Sequence, residues 1–182
     1  MKKNIKLFRF VGSILILYFI WTIFATFYLK EDNSVDFFLR ESEAILCVKA
    51  LSIFGYETYY VHEDPLETVA IFLKGGKRLI GISDSCNGLV LFVLFIGFVI
   101  SFPSKIIDKI KFIPIGIFLI YFLNVFRIIC LTFIYIYYPT YLDFNHHYTF
   151  TLFVYFDIFL LWMTFVKRYG QHSILELSLI HI

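Results

Sequence analysis

With 182 residues the chain is long enough for one domain or one compact membrane bundle, and 60% of it is apolar, 21% aromatic and only 16% charged. A soluble domain lies nearer half apolar and a quarter charged, and a mean hydropathy of +0.80 leaves too little polar surface to cover such a molecule, so a soluble enzyme, a disordered tail and a disulfide-stapled mini-protein are excluded. The net charge of +2 comes from cations in small separated groups rather than a stripe, which excludes a nucleic-acid footprint.

Residues 1–9 form a basic N-terminus with Lys2, Lys3, Lys6 and Arg9, and the first apolar run, 10–29, follows it. A signal peptide shares the basic start but has a shorter core and a small-residue cleavage site. Here the run has the ~20 residues of a membrane span and ends in bulky Phe27-Tyr28-Leu29, so a retained helix is expected. The segment 30–87 then mixes patterns. Over 34–55, Val35, Phe38, Leu39, Ile45, Leu46, Val48, Leu51 and Ile53 interleave with Asp36, Arg40, Glu41, Glu43 and Lys49, which predicts an amphipathic helix capped by Asn33 or Ser34 and ended by Gly55. Strands are expected over Tyr56–Val61, Thr68–Leu73 and Arg78–Ser83, the last two joined by a Gly75-Gly76 turn. This piece is too small to bury a core well by itself, and a cap on the membrane face is the expectation.

The region 88–168 reads as a core of three further spans, from about Gly88 to Phe102, from Phe112 to Tyr138 and from about Tyr148 to Val166. Trp21, Trp162 and many Tyr residues near the span ends suit interfacial belts. Residues 169–182 are a C-terminal tail whose Ser173–Ile182 stretch has no cap and no charge pattern, as in a frayed end or a truncation or cloning scar. The fold class expected is therefore an all-α polytopic bundle of about four transmembrane helices with a small α+β insertion between the first two. Lys and Arg cluster at the N-terminus, in the 103–111 loop (Lys105, Lys109, Lys111) and at Lys167-Arg168, while the 139–147 loop has none. The positive-inside rule then puts both termini in the cytoplasm and residues 30–87 and 139–147 outside the cytoplasmic membrane.

Three polar sites recur at the outward end. Cys86 lies in Asp84-Ser85-Cys86-Asn87-Gly88-Leu89, beside a glycine that permits a tight turn and near a helix N-terminus that can lower a thiol pKa or hold an oxyanion. It also reads as an ordinary interfacial cysteine or as half of a disulfide with Cys47. Asn124 and Arg127 share one face of the third span; a charge inside a span costs at least ~2.5–3.5 kcal/mol and so faces the interior with a function or a partner. Asp157 in the fourth span is the available partner, each residue on the order of 15 Å below the outer surface at 1.5 Å per residue. His146 and His147 stand at the mouth of the fourth span, where histidines are often merely solvated, and two adjacent ones with no acid or histidine at i+3 or i+4 make a poor metal site. Together, a thiol, a base and a cation fill the three roles of cysteine nucleophilic catalysis. The rival reading is a non-enzymatic assembly or transport subunit with a structural Arg127–Asp157 pair. No Gly-x-Ser within a span, converging Asp pair or C-x-x-C points to another membrane enzyme.

The order Cys-x-Gly (Cys86-Asn87-Gly88), Asn-x-x-Arg (Asn124 to Arg127) and a histidine heading the next span (His146 or His147) resembles the exosortase/archaeosortase family of membrane transpeptidases over roughly residues 10–168. The short length, single leading helix and Cys-Asn-Gly-Leu wording look like its compact F-type branch. The resemblance implies a cysteine peptidase or transpeptidase in the cytoplasmic membrane, its site facing outward. Its partners would be exported proteins carrying a C-terminal sorting motif, a hydrophobic helix and a basic tail. Cys86 would be the nucleophile, Arg127 the group that stabilises or orients the carbonyl, and His146 or His147 the base and acid, supported by Asn87, Gly88, Asn124 and Asp157. No cofactor, metal or nucleic acid is implied beside the lipid bilayer, and so few spans leave little wall around a substrate helix, which makes a homo-oligomer one candidate assembly.

Overall fold

The computed structural model describes residues 34–63 and 68–179, together with Gly12, Leu15, Ile16, Tyr18, Phe19, Trp21 and Thr22. The basic N-terminus and most of the predicted first span lie outside these residues; the described positions of that span are helical. The elements are α1 (Ser34–Ile53), β1 (Thr58–Glu63), β2 (Thr68–Leu73), β3 (Arg78–Ile82), α2 (Leu89–Ser101), α3 (Ile106–Tyr137) and α4 (Phe150–Leu179). They divide into two compact units, residues 33–90 with 120–155, and residues 1–32 with 91–119 and 156–182.

The first of these units holds the sheet. α1 ends where Gly55 turns to a φ of +84°, a left-handed conformation that costs glycine little. The predicted amphipathic face is buried only in part: Leu51 lies in the core and Val48 packs against it. Val35, Phe38 and Ile53 are exposed, and α1 turns Asp36, Arg40, Glu43, Ala44, Cys47 and Leu51 inward. Spacings of three and four residues put these on one helix face, and burial of their polar members is tolerated because partners meet them there. The three strands form an antiparallel sheet in the order β1-β2-β3. β2 has the predicted bounds. β1 starts two residues later than expected, leaving Tyr56 outside the strand with its ring against Phe133. Ala44, Cys47 and Leu51 of α1, Val69 and Ile71 of β2, and Leu79 and Ile82 of β3 close a core with Ile128 of α3, flanked by Ile129, Phe133, Tyr135 and Ile136. The sheet thus completes its core with the last turns of α3.

The other unit is packed through aromatic side chains. Phe98 stacks on Trp162 with ring centroids 4.5 Å apart, and Phe112 meets Phe165 at 5.0 Å. Gly116 lets the Phe95 ring lie against the α3 backbone, since a Cβ there would come within 2.0 Å of it. Three expectations about the spans change. α3 begins at Ile106, so Lys109 and Lys111 belong to its first turns rather than to a loop, and Lys109 Nζ donates at 2.6 Å to Ile100 O near the end of α2, as cations do at helix C-termini. Residues 139–149 are consecutive 3-10, α and π turns leading into α4, not an open loop. α4 also continues past Gly170 to Leu179, where a break was expected. Among the described residues, two helical stretches, Ile106–Tyr137 and Pro139–Gly170, are long and apolar enough to cross a membrane, and α2 is shorter at 13 residues.

Candidate active site

Chain order makes the Cys86 turn. Directly after β3, Asp84–Cys86 form a 3-10 turn closed by Cys86 N donating to Ser83 O at 2.8 Å. Asn87 is buried; its amide donates to Asp36 of α1, and its Oδ1 accepts from Leu89 N at 3.1 Å, capping α2. Gly88 has a φ of +76°, which side chains other than glycine rarely adopt, and faces Asn124. Asn124 holds the turn from the α3 side, with Nδ2 donating to Cys86 O at 2.8 Å and to Glu43 Oε1 at 2.8 Å. Arg40 Nη1 lies 2.8 Å from Asp84 Oδ1, an ion pair by distance although off the angle of a hydrogen bond. Buried polar groups of α1 and α3 thus grip this turn from two sides.

The Cys86 thiol points at His146, with Sγ 3.3 Å from Nε2. Cys86, Arg127 and His146 line one cavity of about 420 Å³, walled also by β3 and by Leu131, Tyr135 and Leu142. Burial alone would raise the thiol pKa, but the hydrogen bond from His146, the positive charges of Arg127 and His146 and a hydrogen bond with Ser83 outweigh it and bring Cys86 down to about 7. Cys47 has no such neighbours: burial pushes it up to about 12, against only a hydrogen bond with Thr132. Neither Cys47 nor Cys86 is in a disulfide, so the disulfide alternative is not what the fold contains.

The histidine doublet separates by geometry. Asn145–Thr149 is a π-helical stretch, a local widening that is rare and re-aims side chains. The His146 and His147 rings stand 83° apart. His146 faces Cys86, while His147 is exposed with Nε2 3.4 Å from Asp143 Oδ1. Cys86 and Arg127 meet at one level of α3. Asn124, one turn earlier on α3, bonds the Cys86 backbone, so the cysteine itself sits at that level of the helix. Arg127 Nε is buried without a hydrogen-bond partner among the described residues, and Asp157, its expected partner, belongs to the other unit.

Asp36, Arg40 and Glu43 were missed as site residues. The available signal was their spacing with Cys47, a polar stripe running at helical period through α1, which an apolar-face reading of the same helix passes over. Burial lifts the Glu43 carboxyl to about 8, the Asn124 hydrogen bond and the Arg127 charge opposing that rise and Cys86 adding to it. One consequence is directly measurable. Thiolate is the reactive form, so iodoacetamide labelling of Cys86, read by peptide mass, is expected to rise through a midpoint near pH 7. Cys47 should remain unlabelled at neutral pH.

No curated protein and no solved structure matches the chain. Residues 5–165 match the transmembrane exosortase family (Exosortase_EpsH), which covers the three polar motifs and the helices that carry them. A helical membrane protein whose cysteine, arginine and histidine meet at one cavity thus belongs to the transmembrane exosortase family.

Proposed function

We propose that the protein is a membrane-embedded cysteine peptidase or transpeptidase that cleaves C-terminal sorting signals from exported proteins at the outer face of the cytoplasmic membrane. The observation that carries this reading is the 3.3 Å approach of Cys86 Sγ to His146 Nε2 on a cavity shared with Arg127. His146 takes the Sγ proton and the thiolate attacks the scissile carbonyl carbon. The guanidinium of Arg127 stabilises the oxyanion that forms, a role suited to a cation fixed in a site shielded from water. Collapse breaks the C–N bond, His146 returns its proton to the leaving amine, and a thioester remains on Cys86. An acceptor amine or water, deprotonated by His146, then attacks the thioester and restores the thiol.

The cavity wall supports a peptide substrate. Five successive residues of β3, Arg78–Ile82, border it, and β3 is an edge of the three-stranded sheet. A sheet edge offers backbone donors and acceptors to an extended peptide. Helix lengths support the outward-facing topology. The 32 residues of α3 extend ~48 Å at 1.5 Å per residue, well beyond the ~30 Å hydrocarbon core. With its Lys-bearing start at the cytoplasmic interface, the surplus is the last three turns, the part that packs on the sheet. Asn124 and Arg127 then lie near the outer interface, where a substrate that keeps its own transmembrane helix presents the residues just outside the membrane. Four spans with both termini cytoplasmic complete this arrangement, α2 crossing by local thinning of the bilayer.

The test compares a strain lacking the native copy with the same strain expressing this protein. Exported proteins ending in a hydrophobic helix and a basic tail should shorten and leave the membrane only when it is present, and a hydroxylamine-labile adduct should be recoverable on Cys86. Full-length, membrane-bound substrates in both strains would overturn the reading.

A further inference from the structure

The reaction outlined above makes no use of Glu43, yet this carboxyl is fully buried on α1 at two hydrogen bonds' remove from the nucleophile. Asn124 Nδ2 spends one hydrogen on Glu43 Oε1 and the other on Cys86 O, both at 2.8 Å. The two remaining oxygens of this pair are left over: Glu43 Oε2 and Asn124 Oδ1 are both buried, and neither has a hydrogen-bond partner among the described residues. An ionised carboxylate and an amide carbonyl are acceptors only, so these oxygens cannot satisfy one another. Two orphaned acceptors on residues that already share a hydrogen bond would each carry the desolvation penalty of an unmet buried polar group. One proton removes both penalties, because a protonated carboxyl carries an O–H donor beside its acceptor oxygen.

We infer that Glu43 is a neutral carboxylic acid whose Oε2–H is donated to Asn124 Oδ1, and that this two-way acid–amide clasp is the device that positions the Cys86 turn. Asn124 has no freedom to rotate once both its ends are engaged, so its second N–H stays aimed at the Cys86 carbonyl. The neutrality of the acid matters as much as its bonds. The charged and titratable groups that act on or respond to Glu43 are Cys86 from the turn, Arg127 and Tyr121 from α3, and Cys47 from α1 itself. An ionised Glu43 would repel a thiolate at Cys86 and draw on the charge of Arg127. As an acid it leaves that charge to the thiolate and to the substrate. Burial, which lifts the carboxyl to about 8, agrees with the neutral form at pH 7. The positioning role in catalysis rests on the peptidase reading, whereas the protonation and the clasp do not.

The test uses the full chain in detergent or native membranes and two variants, Glu43→Gln and Glu43→Ala. Glutamine offers an N–H where the acid offers its O–H, so both bonds of the clasp survive without a titrating group. Infrared difference spectra of wild type against Glu43→Gln should contain a protonated-carboxyl C=O band at pH 7 that fades as the pH passes about 8. Iodoacetamide labelling of Cys86 should keep its wild-type midpoint in Glu43→Gln. In Glu43→Ala the labelling rate at pH 7 should drop roughly tenfold, the equivalent of about one pKa unit. Absence of the carboxyl band at pH 7, or a tenfold loss of labelling in Glu43→Gln, overturns the inference even where Glu43→Ala fails to fold. A band that is present while no exported protein is processed overturns the peptidase reading and leaves the clasp standing.

Discussion

Replacing Cys86 with alanine is expected to abolish processing of exported substrates while the protein accumulates at its normal level. Loss of a nucleophile that acts as a unit with its base costs on the order of 10⁴ to 10⁶ in turnover, and no other thiol can substitute. Cys47 is buried in the core of the sheet-bearing unit, and Cys130 is absent from the cavity lining. Accumulation should be unaffected because the turn is held mainly through groups that survive the substitution. These are the Cys86 carbonyl on Asn124, the Asn87 side chain on Asp36, and Arg40 beside Asp84. Immunoblotting of the variant beside mass analysis of the secreted proteins separates the two effects. Normal processing by Cys86→Ala would leave the cavity without a nucleophile and favour an assembly or transport subunit, in which this substitution is silent.

The second large effect distinguishes neighbouring residues. His146→Ala is expected to slow processing by roughly 10² to 10⁴, the range lost with a positioned general acid–base group. His147→Ala should slow it by far less. The Nε2 of His146 is 3.3 Å from the thiol, whereas His147 is exposed and pairs with Asp143, itself exposed. The same substitution at 146 should move the midpoint of Cys86 labelling upward from about 7. With the His146 hydrogen bond and charge removed, burial has less to oppose it, and Arg127 and Ser83 remain as the groups that hold the thiol down. Measuring the labelling profile and the processing rate on one preparation of each variant separates loss of the base from misfolding. Equal losses at 146 and 147 would mean that the doublet supports the structure and that neither ring serves the thiol.

Composition determined the class of molecule. A chain that is 60% apolar and 16% charged has no way to cover itself with polar surface, so membrane helices follow from solvation alone. Cys86, Asn124, Arg127 and the histidines stood out as candidates too, because polar residues beside or within apolar spans are costly enough to be noticed. The Gly75-Gly76 turn was legible for a local reason, both residues taking positive φ as a tight hairpin turn demands.

What the sequence left undecided depended on contacts between elements distant in the chain. Which of His146 and His147 faces Cys86 is decided in a π turn that aims one ring at a residue sixty positions earlier, and no local pattern encodes that direction. The buried face of α1 was read only in part for the same reason. Hydrophobic periodicity favoured Leu51 and Val48, which do pack on the core, but also Val35, Phe38 and Ile53, which are exposed; the helix turns Asp36, Arg40 and Glu43 inward because Asn87, Asp84 and Asn124 wait there to receive them. Polar burial is decided by partners, and partners exist only once the chain has folded. The meeting of Arg127 with Cys86 likewise depends on the Asn124 bond to the Cys86 carbonyl, which sets the thiol and the cation at one level of α3. The sequence by itself determined the solvent of this protein and its reactive groups; the tertiary structure decided which of those groups meet, because hydrogen bonds and charges act over a few ångströms of space and not along the chain.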